Sequence, residues 1–479
     1  MSPTLVIAVI VGYFAVLLVV SHLTARKGDN SEFFIGNKRS PWYLVAFGMV
    51  GTTLSGVTFI SVPGWVGDSS FSYLQMVLGN IVGYIIIATV LLPLYYRNKL
   101  TSIYTYLGER FGFYSYKTGA FFFILSRTIG AAFRLFLVAS VMHLAIFEHW
   151  DVPFRATVLI TIILIWIYTF RGGIKTIVWT DALQTFFMLL TVVLSIRYIA
   201  GDMDLNISGM IRAVQQSSYS QIFFLDWQGE QFFVKQFFAG MFIAIVMTGL
   251  DQDMMQKSLS IRTLKDAKKN LFWFAGMFAF VNFFFLSLGA LLYIFANQNG
   301  IPIPEQTDEL FPTLAIDHFS PLAGIVFVLG LVAAAYSSAD SALTALTTSF
   351  CVDFLGFEQE HLHYKKGTKP IRYAVHFSFS AIVFGVIVVF NAINNEAVIS
   401  SVFTAAGYTY GPLLGLYSFG MFTKYEVRDN WIPMVCILSP VLSYIINIYS
   451  KPLTVYEFGF EILILNGLLT FAGLMIARK

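Results

Sequence analysis

The sequence is poor in charge. Asp, Glu, Lys and Arg make up 12% of its 479 residues, about half the share of an ordinary soluble domain. Together with 57% hydrophobic residues, this excludes a soluble globular chain and leaves a polytopic membrane protein. Cysteine is nearly missing. Cys351 and Cys436 lie inside or at the end of apolar runs, so no disulfide framework and no metal spacing follows. There is no HExxH, no nucleophile elbow and no metal cluster, which argues against a membrane enzyme. The net charge of +3 says nothing for nucleic acid, and the basic residues serve topology instead. No basic residue precedes the first apolar segment, Leu5 to Leu23, and no small-residue cleavage site is evident. A retained helix is expected there, not a signal peptide.

What is present is a series of apolar segments of membrane-spanning length, about thirteen in all, from 4–23 to 457–477. If the N-terminus is outside, the inner loops collect most of the Lys and Arg, including Arg26, Lys27, Arg97, Lys257, Lys268, Lys365 and Arg478. The outer side keeps only Arg155, Arg212, Lys235 and Lys451. The positive-inside rule then predicts N-out, C-in. The long outer loops are Gly201 to Gln231, which is polar, and Gln298 to Ser320, whose Pro312–His318 part is expected as a short surface helix. Thr101–Gly112 on the inner side also reads as an amphipathic surface helix.

Two segments are interrupted. One carries Gly48, Gly51, Thr52, Thr53, Ser55 and Gly56; the other carries Thr248, Gly249, Asp251, Gln252 and Asp253. They lie five segments apart, and an odd offset puts the two halves in opposite orientation. This is the pattern of an inverted-repeat secondary transporter with binding at unwound backbone near the midplane. The expected organisation is one transporter domain: an extra N-terminal helix in 1–30, a first repeat in 41–200, an inverted second repeat in 232–422, and two C-terminal helices in 430–479.

Within the apolar stretch Gly330 to Asp353 lie Ser337, Ser338, Asp340 and Ser341. At about 100° per residue, Ala334, Ser337 and Ser341 share one helix face, flanked by Ser338 and Asp340. An ionisable residue at membrane depth costs roughly 2.5–3.5 kcal/mol, so it should face a cavity or a partner. Hard oxygen ligands suit an alkali cation better than a transition metal. Close helix packing also favours small residues, but packing does not explain Asp340. Arg127 and Arg134, seven residues apart, share a face of another helix. A guanidinium at mid-segment needs a carboxylate. Two partners for Arg134 stay open: an anionic solute, or one of Asp181, Asp251, Asp253 and Asp340. Arg127, nearer the inner end, is expected to snorkel or pair.

Four stretches carry a resemblance to the sodium:solute symporters, relatives of the sodium–glucose, sodium–proline and sodium–iodide cotransporters. Gly172 to Gln184 resembles the family's GG…TD..Q signature, and Ala334 to Ser341 its sodium-site helix. Asp251 to Lys257 is similar to its DQ…Q(R/K) stretch, and Gly51 to Gly64 to its first broken core helix. The resemblance implies an all-α, LeuT-like fold of five plus five inverted helices. It implies a principal Na⁺ site made by the carbonyls of Gly51, Leu54 and Ala334 and the hydroxyls of Ser337 and Ser338. A second Na⁺ position found in some members falls on Asp181, Ser337, Asp340 and Ser341. Asp340 departs from the usual hydroxyl there, and Asp181 has an alternative role capping its helix.

By the same resemblance, the solute cavity would take Thr53, Ser55 and Thr58 on the break. Gln75, Asn80, Asp251 and Arg134 would add polar groups, Phe242 a wall, and Tyr408 and Tyr410 gates. The third-helix Arg with the Thr53–Thr58 pattern looks like the sialic-acid branch. The expected function is Na⁺-coupled import of a small polar solute by alternating access, with an anion such as sialic acid favoured. A neutral sugar or polyol, with Arg134 structural, is the alternative, and proton coupling through Asp340 stays open. A channel would not need a charged central pocket, and a sensor kinase finds no room before Lys479. The expected partners are the solute and the lipid bilayer of a bacterial inner membrane, with no nucleic acid and with the monomer as the functional unit.

Overall fold

The computed structural model describes residues 3–24, 38–169, 173–357, 368–393, 397–454 and 456–479. Inside hydrocarbon each backbone N–H and C=O must be satisfied within its own segment, which favours helices. The described residues form helices and connecting loops, with one isolated bridge between Val427 and Arg478. The first half comprises α1 (Pro3–Thr24), α2 (Trp42–Thr53), α3 (Gly56–Ser69), α4 (Tyr73–Arg97), α5 (Phe113–Met142), α6 (Phe154–Thr169) and α7 (Gly173–Asp202). The second comprises α8 (Phe233–Gly249), α9 (Gln252–Leu259), α10 (Leu264–Gln298), α11 (Pro321–Phe354), α12 (Thr368–Ile393), α13 (Val398–Thr409) and α14 (Gly411–Phe422). Two more follow, α15 (Ile432–Thr454) and α16 (Ile462–Ile476).

Among the described residues, seven helices are long and apolar enough to cross a membrane, or nine if each bent pair counts as one span. Shorter apolar helices at Ile7–Val20, Phe154–Trp166, Val398–Thr409 and Ile462–Ile476 occupy four further apolar segments of the sequence.

Both interrupted segments are bent. α2 and α3 meet at 55°, and α8 and α9 at 63°. The first break has a local cause. The Leu54 N–H closes α2 on the Val50 carbonyl at 2.8 Å, and Ser55 then leaves the helical conformation before Gly56 restarts it. The carbonyls after Val50 therefore lie in the last turn of α2, where a helix has no further N–H to offer. The second break is capped. The Asp251 carboxylate accepts the N–H groups of Asp253 (2.9 Å) and Met254 (3.3 Å), starting α9.

α7 runs between α2 and α11. A Cβ at Gly51 would overlap the Thr185 hydroxyl, and one at Gly330 would overlap Thr191. These bare positions let three helices close on one another and bring Asp181 beside the first break. α8 lies along α4 in the same way, with Gly79 against the Phe237 carbonyl and Gly240 against the Met76 carbonyl.

Three expectations change. The segment around Pro312–His318 is helical from Leu310 to His318, but Leu310, Phe311, Leu314 and Ala315 are buried. It is seated on α3 instead of lying on a surface, because its apolar side chains fill the space over Phe59. In Thr101–Gly112 only Thr105–Arg110 is helical. Tyr104 there is buried and donates its hydroxyl to the Leu250 carbonyl at 3.0 Å, so this loop supports the second break. The last apolar run of the second repeat, expected as one segment over 397–422, divides at Tyr410 into α13 and α14. Gly172, the first residue of the GG…TD..Q stretch, lies outside the described residues.

Gly79→Leu is expected to force α4 and α8 apart and to destabilise the protein by about 1–3 kcal/mol or more. Thermal melting of purified protein reads this. Gly276→Leu, where no atom lies within 4 Å of the added Cβ, is expected to melt like the wild type.

Candidate functional site

The polar centre of the molecule is built in layers around the first break. A small cavity of about 70 Å³ is lined by Thr53, Ser55, Thr58, Asn80, Arg127 and Arg134, with Tyr73 and Phe403 at one end. Thr53 Oγ1 and Asn80 Oδ1 are buried and have no hydrogen-bond partner among the described residues. Ser55 stands at the N-cap of α3, so the positive end of that helix opens on the cavity. Arg134 is 9% exposed, and its Nη1 donates to Ser338 Oγ at 3.4 Å.

Of the four carboxylates open as partners of Arg134, three lie against other cations, although Asp251 also attracts Arg134. Asp253 pairs with Arg127, Asp251 lies 3.8 Å from Arg127, and Asp181 takes Lys257 at 2.7 Å. Asp340 is fully buried on α11, within electrostatic reach of Lys257.

The expected cation ligands gather where α2, α7 and α11 meet. Gly51, Leu54, Ala334, Ser337 and Ser338 are all buried. Thr52 Oγ1 lies 3.4 Å from Ser337 Oγ. Ser337 donates to Asp181 Oδ1 at 2.7 Å, and Thr52 donates to Asp181 Oδ2 at 3.0 Å. Asp181 is well inside α7, eight residues after Gly173, so it is not a helix cap. Ser341 turns from this group and donates to Asp253. Lys257, counted above as an inner-loop charge, is 1% exposed and donates to both Thr52 and Asp181.

Three of the other expected residues lie around the cavity instead of in it. Gln75 bonds the carbonyls of Ser72 and Gln231 and accepts the Phe224 N–H, so it anchors a long loop. Phe242 is a half-buried residue of α8, and its neighbours Ile243 and Ala244 line the cavity. Asp251 caps α9 and accepts the Tyr410 hydroxyl at 2.5 Å. Tyr410 thus ties the α13–α14 bend to the second break. Tyr408 accepts from Asn447 at 3.0 Å and lines a separate, larger vestibule.

That vestibule measures about 750 Å³ and carries Asp68, Glu230, Glu305, Asp308 and Glu457 on its wall. Four rings separate it from the central cavity. Trp65 meets Tyr73 (6.1 Å between centroids), Tyr73 stacks on Phe403 (6.3 Å), Phe403 meets Phe460 (5.2 Å), and Phe460 returns to Trp65 (6.1 Å). Sequence reasoning missed this closure and the Lys257–Asp181 pair. No single ring stands out in a chain that is 17% aromatic. Lys257 carried no local signal for its partner, since the nearby Asp251 and Asp253 lie against Arg127 instead.

A bundle with two broken helices, unwound backbone beside a carboxylate and hydroxyls, and a cavity closed by rings is the arrangement of a secondary transporter. The sodium:solute symporter family model matches residues 33–427, and the chain belongs to that family. It is 26% identical to the sodium/sialic acid symporter NanT of Aliivibrio fischeri, over 86% of this chain and 81% of that one. It is 25% identical to the sodium/sialic acid symporter SiaT of Proteus mirabilis, over 94% and 91%. A solved Na⁺-coupled sialic acid symporter in its substrate-bound outward-open state superposes with a TM-score of 0.81 at 21% identity, over 99% of this chain and 98% of that one. A nucleobase-cation-symport-1 family transporter gives 0.54 at 13% identity, over 92% and 93%. The structural matches establish the fold.

Asp308, on the loop over α3, holds the start of α13 by accepting the Val398 N–H at 2.8 Å. Burial pushes its carboxyl up to about 6, with Glu309 adding to the rise and the Val398 N–H and Ser61 opposing it. The folded state therefore keeps this proton longer than the unfolded chain does. The stability so gained is complete below the ordinary carboxylate range and is lost as pH rises through about 6. Asp308→Asn is expected to remove this loss, on the order of 2–3 kcal/mol at pH 7. Melting curves of the two proteins should diverge between pH 4 and pH 7 and meet below it.

Proposed function

We propose that this chain is a Na⁺-coupled symporter that imports a sialic acid or a related sugar acid by alternating access. The observation that carries the reading is Arg134. Its guanidinium lines the central cavity beside the N-terminus of α3, while the neighbouring carboxylates Asp181 and Asp253 are committed to Lys257 and Arg127. A solute carboxylate there would gain a charge-assisted pair and a helix N-terminus together. Thr53 and Asn80 supply further polar atoms for hydroxyls or an amide. The relatives named for sialic acid transport support the same class of solute.

Na⁺ is held by the Gly51, Leu54 and Ala334 carbonyls and the Ser337 and Ser338 hydroxyls, about five oxygens, as suits a hard cation. Coupling runs through Ser338, which meets Arg134 at 3.4 Å. Whatever orders Ser338 for Na⁺ also positions the guanidinium for the solute, and the effect is reciprocal. The acidic vestibule concentrates cations on the face that the positive-inside rule assigns to the outside. The membrane potential adds about 2.3 kcal/mol per charge for each 100 mV.

A cavity of about 70 Å³ is below the roughly 300–1,000 Å³ of pockets that hold drug-sized ligands. Solute admission therefore requires the Trp65, Tyr73, Phe403 and Phe460 rings to part and the cavity to widen. The two halves, 41–200 and 232–422, rock as inverted repeats in an N-out, C-in chain of about thirteen spans, working as a monomer in a bacterial inner membrane.

Uptake of labelled sialic acid, glucose and a monocarboxylate into proteoliposomes, with and without a Na⁺ gradient, tests this. Uptake of an acid that depends on Na⁺ is expected. Arg134→Ala should lower its kcat/KM at least ~30-fold while leaving the melting temperature near wild type. Ser337→Ala should weaken Na⁺ activation and uptake together. Na⁺-driven uptake of glucose alone would make Arg134 a structural residue.

A further inference from the structure

A lysine buried in a membrane core is costly unless its charge is matched. Lys257 is matched in a particular place. It projects from α9, the second arm of the second broken helix, toward the end of α2, the first arm of the first. Its Nζ donates to Thr52 Oγ1 at 2.6 Å and to Asp181 Oδ2 at 2.7 Å. The other oxygen of Asp181 accepts from Ser337 at 2.7 Å. Thr52 adjoins Gly51, and its hydroxyl is 3.4 Å from that of Ser337. The ammonium thus occupies oxygens that border, or belong to, the set expected to receive Na⁺. Asp340 adds a further negative charge within electrostatic reach.

An ammonium and a sodium ion carry the same charge and seek the same oxygen donors. We propose that Lys257 is a tethered cation, which neutralises Asp181 when Na⁺ is absent and is displaced from it when Na⁺ binds. This deepens the sodium-coupled reading above and rests on it, adding a residue that sets the apparent affinity for Na⁺. The same ammonium ties these arms of both broken helices to α7. Its release on Na⁺ binding changes what holds those arms, which is the differential interaction that a coupling ion must have with two conformations. If the lysine-bound form is about nine-tenths of the Na⁺-free population, it weakens apparent Na⁺ affinity about tenfold.

The test is Na⁺ titration of thermal stability in purified protein, with choline replacing Na⁺ at constant ionic strength. Binding to the native state raises the melting temperature with concentration. Wild type is expected to show a saturable Na⁺ shift, and Lys257→Gln the same shift at about tenfold lower Na⁺. Because Lys257→Gln leaves a lone buried carboxylate, which costs stability, the comparison is repeated in the Asp181→Asn background. In that background the ammonium keeps its bond to Thr52, 3.4 Å from Ser337, and still opposes Na⁺ by charge, so K257Q is expected to tighten Na⁺ binding at least ~3-fold relative to D181N alone. A wild-type shift with equal or weaker Na⁺ affinity in K257Q, or equal affinities in the D181N pair, overturns the tethered cation and leaves the sodium reading standing. No Na⁺-specific shift in any of the four proteins overturns both.

Discussion

The buried carboxylate of Asp181 is the constraint around which the centre of this protein is arranged. Carried on α7 between α2 and α11, it is out of reach of water. A charge in that position needs partners on every side, and it has them: Lys257 from α9, Thr52 from α2, Ser337 from α11. Four separate helices meet on one side chain. The bare positions Gly51 and Gly330 exist at the same junctions, since a side chain at either would push α7 away. Charge satisfaction and close packing thus impose one geometry, and the helix break beside them offers the unsatisfied carbonyls that a hard cation can use.

A second charged group, Arg127 with Asp253 and Asp251, lies one layer away, and Tyr410 joins it through Asp251. Beside these two groups, Arg134 donates to a hydroxyl, that of Ser338. The proposed preference for an anion rests on that difference. The closure above is apolar, a ring of Trp65, Tyr73, Phe403 and Phe460 contributed by α3, α4, α13 and the chain just before α16. Rings that only touch separate without breaking ionic bonds, which suits a gate. In this conformation the vestibule is wide, the rings are in contact and the central cavity is small.

The sequence by itself determined the membrane class, the family, the two broken helices and the hydroxyl-rich face of α11. Each depends on local pattern: apolar run length, glycine and hydroxyl interruptions, and spacing along one helix. Thr53, Ser55, Thr58, Asn80 and Arg134, named from the sequence, line one cavity because the break and two neighbouring helices carry them all. Only the tertiary structure decided which carboxylate pairs with which cation. Asp181 and Lys257 are separated by 76 residues, and nothing in either neighbourhood names the other. Gln75 looked like a pocket residue and proved to be a loop anchor, since an amide at a helix end reads the same in either role. The ring cluster was equally hidden: four aromatics from distant segments meet only when packing sets their rings side by side. Local periodicity is written in the order of residues, whereas the choice of ion-pair partners and ring contacts is a property of how the helices are placed in space.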